Sequence, residues 1–234
     1  MPSTAPSRNA RIAFGVTAGL GWFALSLNLV ITGFGVYPSD VVTPSAFGYD
    51  NAAGAAGAPG RVIDYLSYFT ILSNIVVAVM LTALARGRVR PTLLWRTIRM
   101  DSLVMITVTG LVFAIVLAKD ADLQGLQYVT NTIEHYLVPV LAVLTWLVFG
   151  PRAWLRPVTV LTALAIPILW LAYTFARGAV IGAYPYGFLD VAVLGYGKAL
   201  VNVAGVLALG IVLGLVFLGL DRLISRGVTS PPAE

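Results

Sequence analysis

The chain has 234 residues, of which 59% are hydrophobic and 11% charged, with a mean hydropathy of +0.89. A soluble domain of this length carries about 25% charged residues, so a water-soluble globule is excluded and an all-α, polytopic membrane protein is expected. The net charge is +5, with no cysteine and a single histidine. That excludes disulfides, thiolate nucleophiles, Cys-based metal sites and multi-His zinc centres, and no metal or other cofactor is expected.

Residues 1–11 are polar, carry Arg8 and Arg11, and are expected to be disordered. The apolar run 12–36 has the basic lead of a signal peptide. It exceeds an h-region of roughly 7–15 residues and lacks a small-x-small cleavage site, so it reads as a retained first span. Residues 37–63 contain Pro38, Pro44 and the low-complexity stretch 52–60, and read as a flexible external loop. The second span covers 64–85 and is followed by Arg86, Arg88, Arg90, Arg96 and Arg99. The third covers 100–118 and ends in a turn with Lys119, Asp120 and Asp122. The fourth covers 130–149 and leads to Pro151, Arg152 and Arg156. The fifth covers 157–176, with a kink expected at Pro167. Residues 177–195 form a loop containing Tyr184-Pro-Tyr-Gly-Phe-Leu-Asp190, the sixth span covers 196–220, and 221–234 is a short polar tail. Each run is near the ~20 residues that cross a bilayer core.

Eleven lysines and arginines flank the chain at its two ends and in the 86–99 and 150–156 connections. The three opposite connections hold only Arg61, Lys119 and Arg177, and Lys198 lies inside the sixth span. This asymmetry predicts a plasma (inner) membrane protein with both termini cytoplasmic. The basic residues then read as topology signals, and no nucleic-acid partner is expected.

Polar groups interrupt the apolar runs at one depth. Ser67, Thr70 and Asn74 share a helical face, with Asp64 one turn above. Thr70 lies about 9 Å below Asp64 and His135 about 8 Å below Thr130, at ~1.5 Å per residue. Asn28 and Thr32, Tyr173 and Thr174, and Lys198 and Asn202 fall in the same outer layer, with Asp190 in the loop above. The inner halves hold chiefly Asp101. An outward-facing polar pocket is expected if these faces meet. Each residue also has a plain reading. Thr70 can bond its own i−4 carbonyl, the asparagines and serines can join helices, and His135 can simply pack. Lys198 can snorkel, Glu134 can reach headgroups or a basic side chain, and Asp190 can cap the sixth span. The shared depth is what favours a common pocket.

His135 is the only side chain with an unperturbed pKa near neutrality, and a hydroxyl becomes a nucleophile when a base takes its proton. Asp190 from the loop, or Asn131 at i−4, would orient the imidazole. Asn74, Asn202 or Lys198 would stabilise an oxyanion, with Asn28 supporting the pocket. Such a constellation would make an acyl-transfer centre, reached sideways by lipid acyl chains. The spacing does not choose Thr70 over Ser67 or Ser73, and there is no G-x-S-x-G elbow. A non-catalytic lipid or small-molecule binder or transporter, and a structural membrane subunit, remain the alternatives.

Tyr68-Phe-Thr70 in the second span, Asn131-x-x-x-His135 with Pro139 in the fourth, and the Tyr184–Asp190 loop motif resemble the three signatures of the androgen-induced gene and androgen-dependent family. That family comprises multi-pass threonine hydrolases that cleave fatty acid esters of hydroxy fatty acids. The resemblance follows the whole span order. It implies a six-span bacterial relative with a lipid or acyl-ester substrate, the family's threonine falling on Thr70 and its histidine on His135.

Overall fold

Ser7 starts the first helix: its hydroxyl accepts the Ala10 N–H at 3.2 Å, a serine N-cap. The computed structural model describes residues 6–37, 45–121 and 123–228. Residues 1–5, Pro38 and Pro44, Asp122 and the tail 229–234 lie outside the described residues. Helix α1 runs Arg8–Phe34 and ends at Gly35, whose φ of 61° is the left-handed C-cap geometry. Residues 8–11 are therefore helical rather than disordered. Beyond the Ser7 cap, Arg11 Nε donates to the Ala85 carbonyl at 2.9 Å and ties this end down.

Within the stretch expected to be a flexible loop, residues 54–63 are helical. A single 3₁₀ turn, Gly54–Gly57, leads into α2, Ala58–Ser67. Pro59 sits in the first turn, where its missing N–H costs nothing. Arg61 organises the segment: its guanidinium donates to the Thr32 and Gly33 carbonyls that close α1, and to those of Ala52 and Gly54. Low-complexity composition concealed this one cation and the orphan helix-end carbonyls it satisfies.

Helix α3, Phe69–Ala85, follows α2 across a 68° bend at Tyr68, whose ψ of 137° ends one helix and caps the next. Asp64 and Ser67 thus belong to α2, not to the face that carries Thr70 and Asn74 as expected. Helix α4, Leu93–Leu117, starts at the Thr92 cap and closes in a π-helical turn, Phe113–Leu117. Arg96 and Arg99 lie in its first turns and are buried, so the basic connection is shorter than expected. Helix α5, Leu126–Phe149, contains a second π turn, Ile133–Leu137. Helix α6, Pro157–Ile181, is interrupted at Ala163–Leu164, the position whose i+4 partner is Pro167 and so cannot donate. Helix α7, Val191–Val228, is broken at Gly195, with φ 71° and ψ 159°. It is regular from Tyr196, where the sixth span was expected to begin.

Five helices are long and apolar enough to cross a membrane, or six if the bent α2–α3 pair makes one span. Among the described residues there are no strands, only a single bridge between Ala46 and Tyr184. Helix α4 is central, with 56% of its apolar window buried against 28% for α6 and 22% for α7. One core layer joins Phe14 and Ala18 of α1, Val77 and Met80 of α3, Ile106 of α4 and Val138 of α5. A second joins Met100 and Leu103 of α4, Trp146 of α5, Val160 of α6 and Phe217 of α7. Large apolar side chains such as Phe23, Ile115, Val148, Leu169 and Val201 point outward, the inverse of a water-facing surface. Helices α6 and α7 meet α4 at the arginine-rich end and leave a cleft towards the other.

Candidate active site

The bend at Tyr68 puts Thr70 in the first turn of α3, where backbone N–H groups have no helical acceptor. The Tyr186 phenol oxygen fills that gap, accepting the Thr70 N–H at 3.2 Å, and lies 3.3 Å from Thr70 Oγ1. Thr70 Oγ1 is in turn 3.2 Å from His135 Nε2. On the far side of the ring, Nδ1 meets the Asn131 carbonyl at 3.2 Å. A carbonyl only accepts, so Nδ1 carries the proton and Nε2 is the acceptor. The directions are then consistent along the chain of bonds: Tyr186 O–H to Thr70 Oγ1, Thr70 O–H to His135 Nε2, His135 Nδ1–H to Asn131.

His135 sits at the middle of the π turn of α5. Pro139, four residues on, cannot donate to the His135 carbonyl, which loosens the helix at this point. Gly110 of α4 lies against that carbonyl: a Cβ there would stand 3.1 Å from the His135 oxygen and 3.2 Å from Pro139 Cβ. The close approach lets Phe113 of the other π turn stack on the imidazole, ring centroids 3.9 Å apart.

Asn74 joins the two halves of the site. Its amide donates to the Thr70 carbonyl at 2.9 Å and the Glu134 carbonyl at 3.3 Å, fixing the first turn of α3 against the π turn of α5. Ser73 braces the same Thr70 carbonyl and meets Thr109 of α4 at 2.8 Å. Of the three candidate hydroxyls only Thr70 reaches His135. Ser67 bonds the Ile63 carbonyl and the Tyr173 hydroxyl instead.

Other expected site residues stand elsewhere. Asp190 does not orient the imidazole. It caps α7, accepting the Ala192 and Val193 N–H groups, and takes a hydrogen bond from Ser45. The orienter is Asn131, through its main chain. Asn202 donates to the Phe188 carbonyl at 2.9 Å and holds the loop rather than an oxyanion. Lys198 is exposed and does not line the cavity. Its place on the weakly covered face of α7 leaves it beside the bundle. Asn28 lies behind His135, donating at 3.1 Å to Glu134. Glu134 is 2% exposed and faces inward, not headgroups, because the π turn rotates it against α1. Thr32 bonds Asn28 at 3.4 Å. Thr174 is buried, with no hydrogen-bond partner for its hydroxyl among the described residues.

Tyr186 is the functional group whose role the sequence left unassigned. Its loop is strapped over the end of the bundle by the Ala46–Tyr184 bridge and by Ser45–Asp190, while Arg177 of α6 pairs with Asp64 at 2.5 Å and lies over the Phe47 ring. Tyr186 stacks on Phe188 and meets Tyr68 edge-on. Burial pushes its phenol above the ordinary value, so it remains a proton donor at neutral pH.

Thr70, His135 and Tyr186 open into a cavity of about 580 Å³, counted with the space at its open side. The rest of its wall is almost wholly apolar, including Val112, Trp170, Leu171, Leu189 and Val203. Among the described residues no group of acidic, histidine or cysteine side chains could hold a metal ion. A base, a hydroxyl, a neutral donor and an apolar room are the ingredients of acyl transfer. No known family model, curated protein or solved structure matches this chain.

Proposed function

We propose that this protein is an integral membrane hydrolase that cleaves a lipid ester, with Thr70 as nucleophile and His135 as general base. The carrying observation is Thr70 Oγ1 at 3.2 Å from an imidazole nitrogen left unprotonated by the Asn131 carbonyl, at the wall of an apolar cavity. The resemblance of the Thr70, His135 and 184–190 motifs to the androgen-induced gene family supports the same reading. His135 Nε2 takes the Thr70 proton as Oγ1 attacks the ester carbonyl carbon. The carbonyl oxygen becomes an oxyanion, and the Tyr186 O–H swings from Thr70 to stabilise it. The first turn of α3 adds its positive dipole end. The C–O bond to the alcohol then breaks, and the imidazolium returns its proton to that leaving alkoxide. Water, activated by the same imidazole, releases the acid from Thr70.

The arginine asymmetry supports a plasma-membrane orientation with both termini cytoplasmic, and in that orientation the site would lie in the outer-leaflet half. A fluorophosphonate probe tests the chemistry. Labelling is expected on Thr70, located by peptide mass spectrometry, and lost in Thr70→Ala and His135→Ala. A Thr70→Ala protein that labels as fully as the wild type overturns the reading and leaves a non-catalytic lipid binder.

A further inference from the structure

A second cavity, about 440 Å³ counted with the space at its open side, continues from the first towards the arginine-rich end. The two share Phe69, Val108, Pro167, Val206 and Leu207 in their walls, so they form one cleft between α4, α6 and α7. Its lining on α4 is Met100, Val104, Met105 and Val108, positions i, i+4, i+5 and i+8 of a single helical face. On α7 the lining runs from Val203 through Val206 and Gly210 to Gly214, again one face. Among the described residues, no polar side chain lines the second cavity. A charged or hydrated solute would lose its water there without compensation, whereas a hydrocarbon chain loses nothing. From Val203 to Gly214 the cleft is about 16 Å long at ~1.5 Å per residue. That is roughly half of a ~30 Å hydrocarbon core, the depth one leaflet's acyl chains fill.

We infer that this cleft seats one unbranched acyl chain of the substrate, with its carbonyl at Thr70 and its methyl end at Gly210 and Gly214, and that these two glycines set the chain length accepted. The seat rests on the hydrolase reading for the position of the carbonyl. Helices α6 and α7 are the least buried spans, so the chain enters sideways between them from the bilayer. The absent side chains at 210 and 214 make the floor. A Cβ at Gly210 would meet only Val104 Cγ1, at 3.7 Å, and one at Gly214 would stand 3.1 Å from Val160 Cγ1. Position 210 therefore accepts a larger residue without moving the backbone, and that residue occupies chain space.

The test uses the full chain in lipid nanodiscs. Turnover of p-nitrophenyl palmitate over p-nitrophenyl hexanoate is compared for wild type, Gly210→Ala and Gly210→Leu. The ratio is expected to fall stepwise, by about tenfold or more in Gly210→Leu, the discrimination a pocket makes over a few methylenes. In parallel, wild-type protein is photolysed with palmitic acid carrying a terminal diazirine. Cross-links are expected at Val104, Gly210 or Gly214, which line the cleft, displaced by palmitate but not by hexanoate. An unchanged ratio with hydrolysis intact overturns the seat and spares the hydrolase, as do cross-links confined to the outward-facing Val212 and Leu215. If the wild type hydrolyses neither ester, the hydrolase reading fails and the cross-link positions alone decide the seat.

Discussion

The Nδ1–H of His135 is committed to the Asn131 carbonyl 3.2 Å away, and this leaves Nε2 facing Thr70 Oγ1 as the only acceptor on the ring. The tautomer is set by the main chain of the preceding turn and needs no carboxylate. Replacing His135 with Ala is expected to slow ester hydrolysis by about 10²–10⁴-fold, the usual worth of a positioned base. Thr70→Ser keeps a hydroxyl at the same place and should retain measurable turnover, whereas Thr70→Ala should not. Single-turnover kinetics with a chromogenic ester distinguish them. Equal rates for Ser and Ala at position 70 would remove the nucleophile assignment.

Tyr186→Phe keeps the ring stacked on Phe188 and against Tyr68 but deletes the donor aimed at Thr70. Loss of one oxyanion donor costs about 10²–10³ in rate. The expected loss is in kcat, with KM little changed, since the donor acts on charge that develops only in the transition state. A KM effect alone would make Tyr186 a packing residue of the strapped loop.

The same phenol gives an alkaline limit. Its pKa is raised above the ordinary 10.0 by burial, so the folded state holds the proton more tightly than the unfolded chain does. Its contribution to stability is therefore complete below pH 10 and is lost as pH rises beyond it. Wild-type protein in detergent should lose thermal stability more steeply above that pH than Tyr186→Phe does. Parallel curves for the two proteins would show that Tyr186 is not the titrating group.

Asn28→Ala tests the support behind the imidazole. Glu134 is nearly fully buried, and the Asn28 amide is the hydrogen-bond donor that one of its carboxylate oxygens has, the other having none among the described residues. Removing that donor should cost about 1–3 kcal/mol, read as a lowered melting midpoint with Thr70 and His135 both intact. An unaltered midpoint would mean that Glu134 finds another partner.

Much of this arrangement was visible in the residues, and the failures have physical causes. Apolar runs of span length gave the helices, and the fixed rise per residue set Thr70 and His135 at one depth without bringing them into contact. What that rule could not supply was rotation and local breakage. The bend at Tyr68 moved Asp64 and Ser67 onto another helix. The π turn at Ile133–Leu137 swung Glu134 inward. Asp190 went to the first N–H groups of α7, and Asn202 to a carbonyl of the strap, as polar side chains near unsatisfied helix ends do. Tyr186 stood inside the Tyr184–Asp190 motif, yet its role depends on a loop crossing from one end of the sequence to a helix start at the other, and no periodicity encodes that.

Gly178 of α6 lies under the Tyr184 ring, and a Cβ there would come within 2.2 Å of Tyr184 Cε1. Neither residue touches Thr70 or His135. Tyr184 is, however, the loop's partner in the bridge to Ala46, and Tyr186 is two residues on. Gly178→Ala must therefore lift the ring and with it the strap that delivers the phenol to Thr70. A loss of activity close to that of Tyr186→Phe is expected, with greater proteolysis in the 182–190 loop and the α3–α5 core retained. Adding Tyr184→Ala relieves the collision by deleting the ring, so the double variant should recover part of the lost rate. If Gly178→Ala is as active as the wild type, the strap is not what positions Tyr186, and the donor must be held by Phe188, Tyr68 and the Thr70 N–H instead.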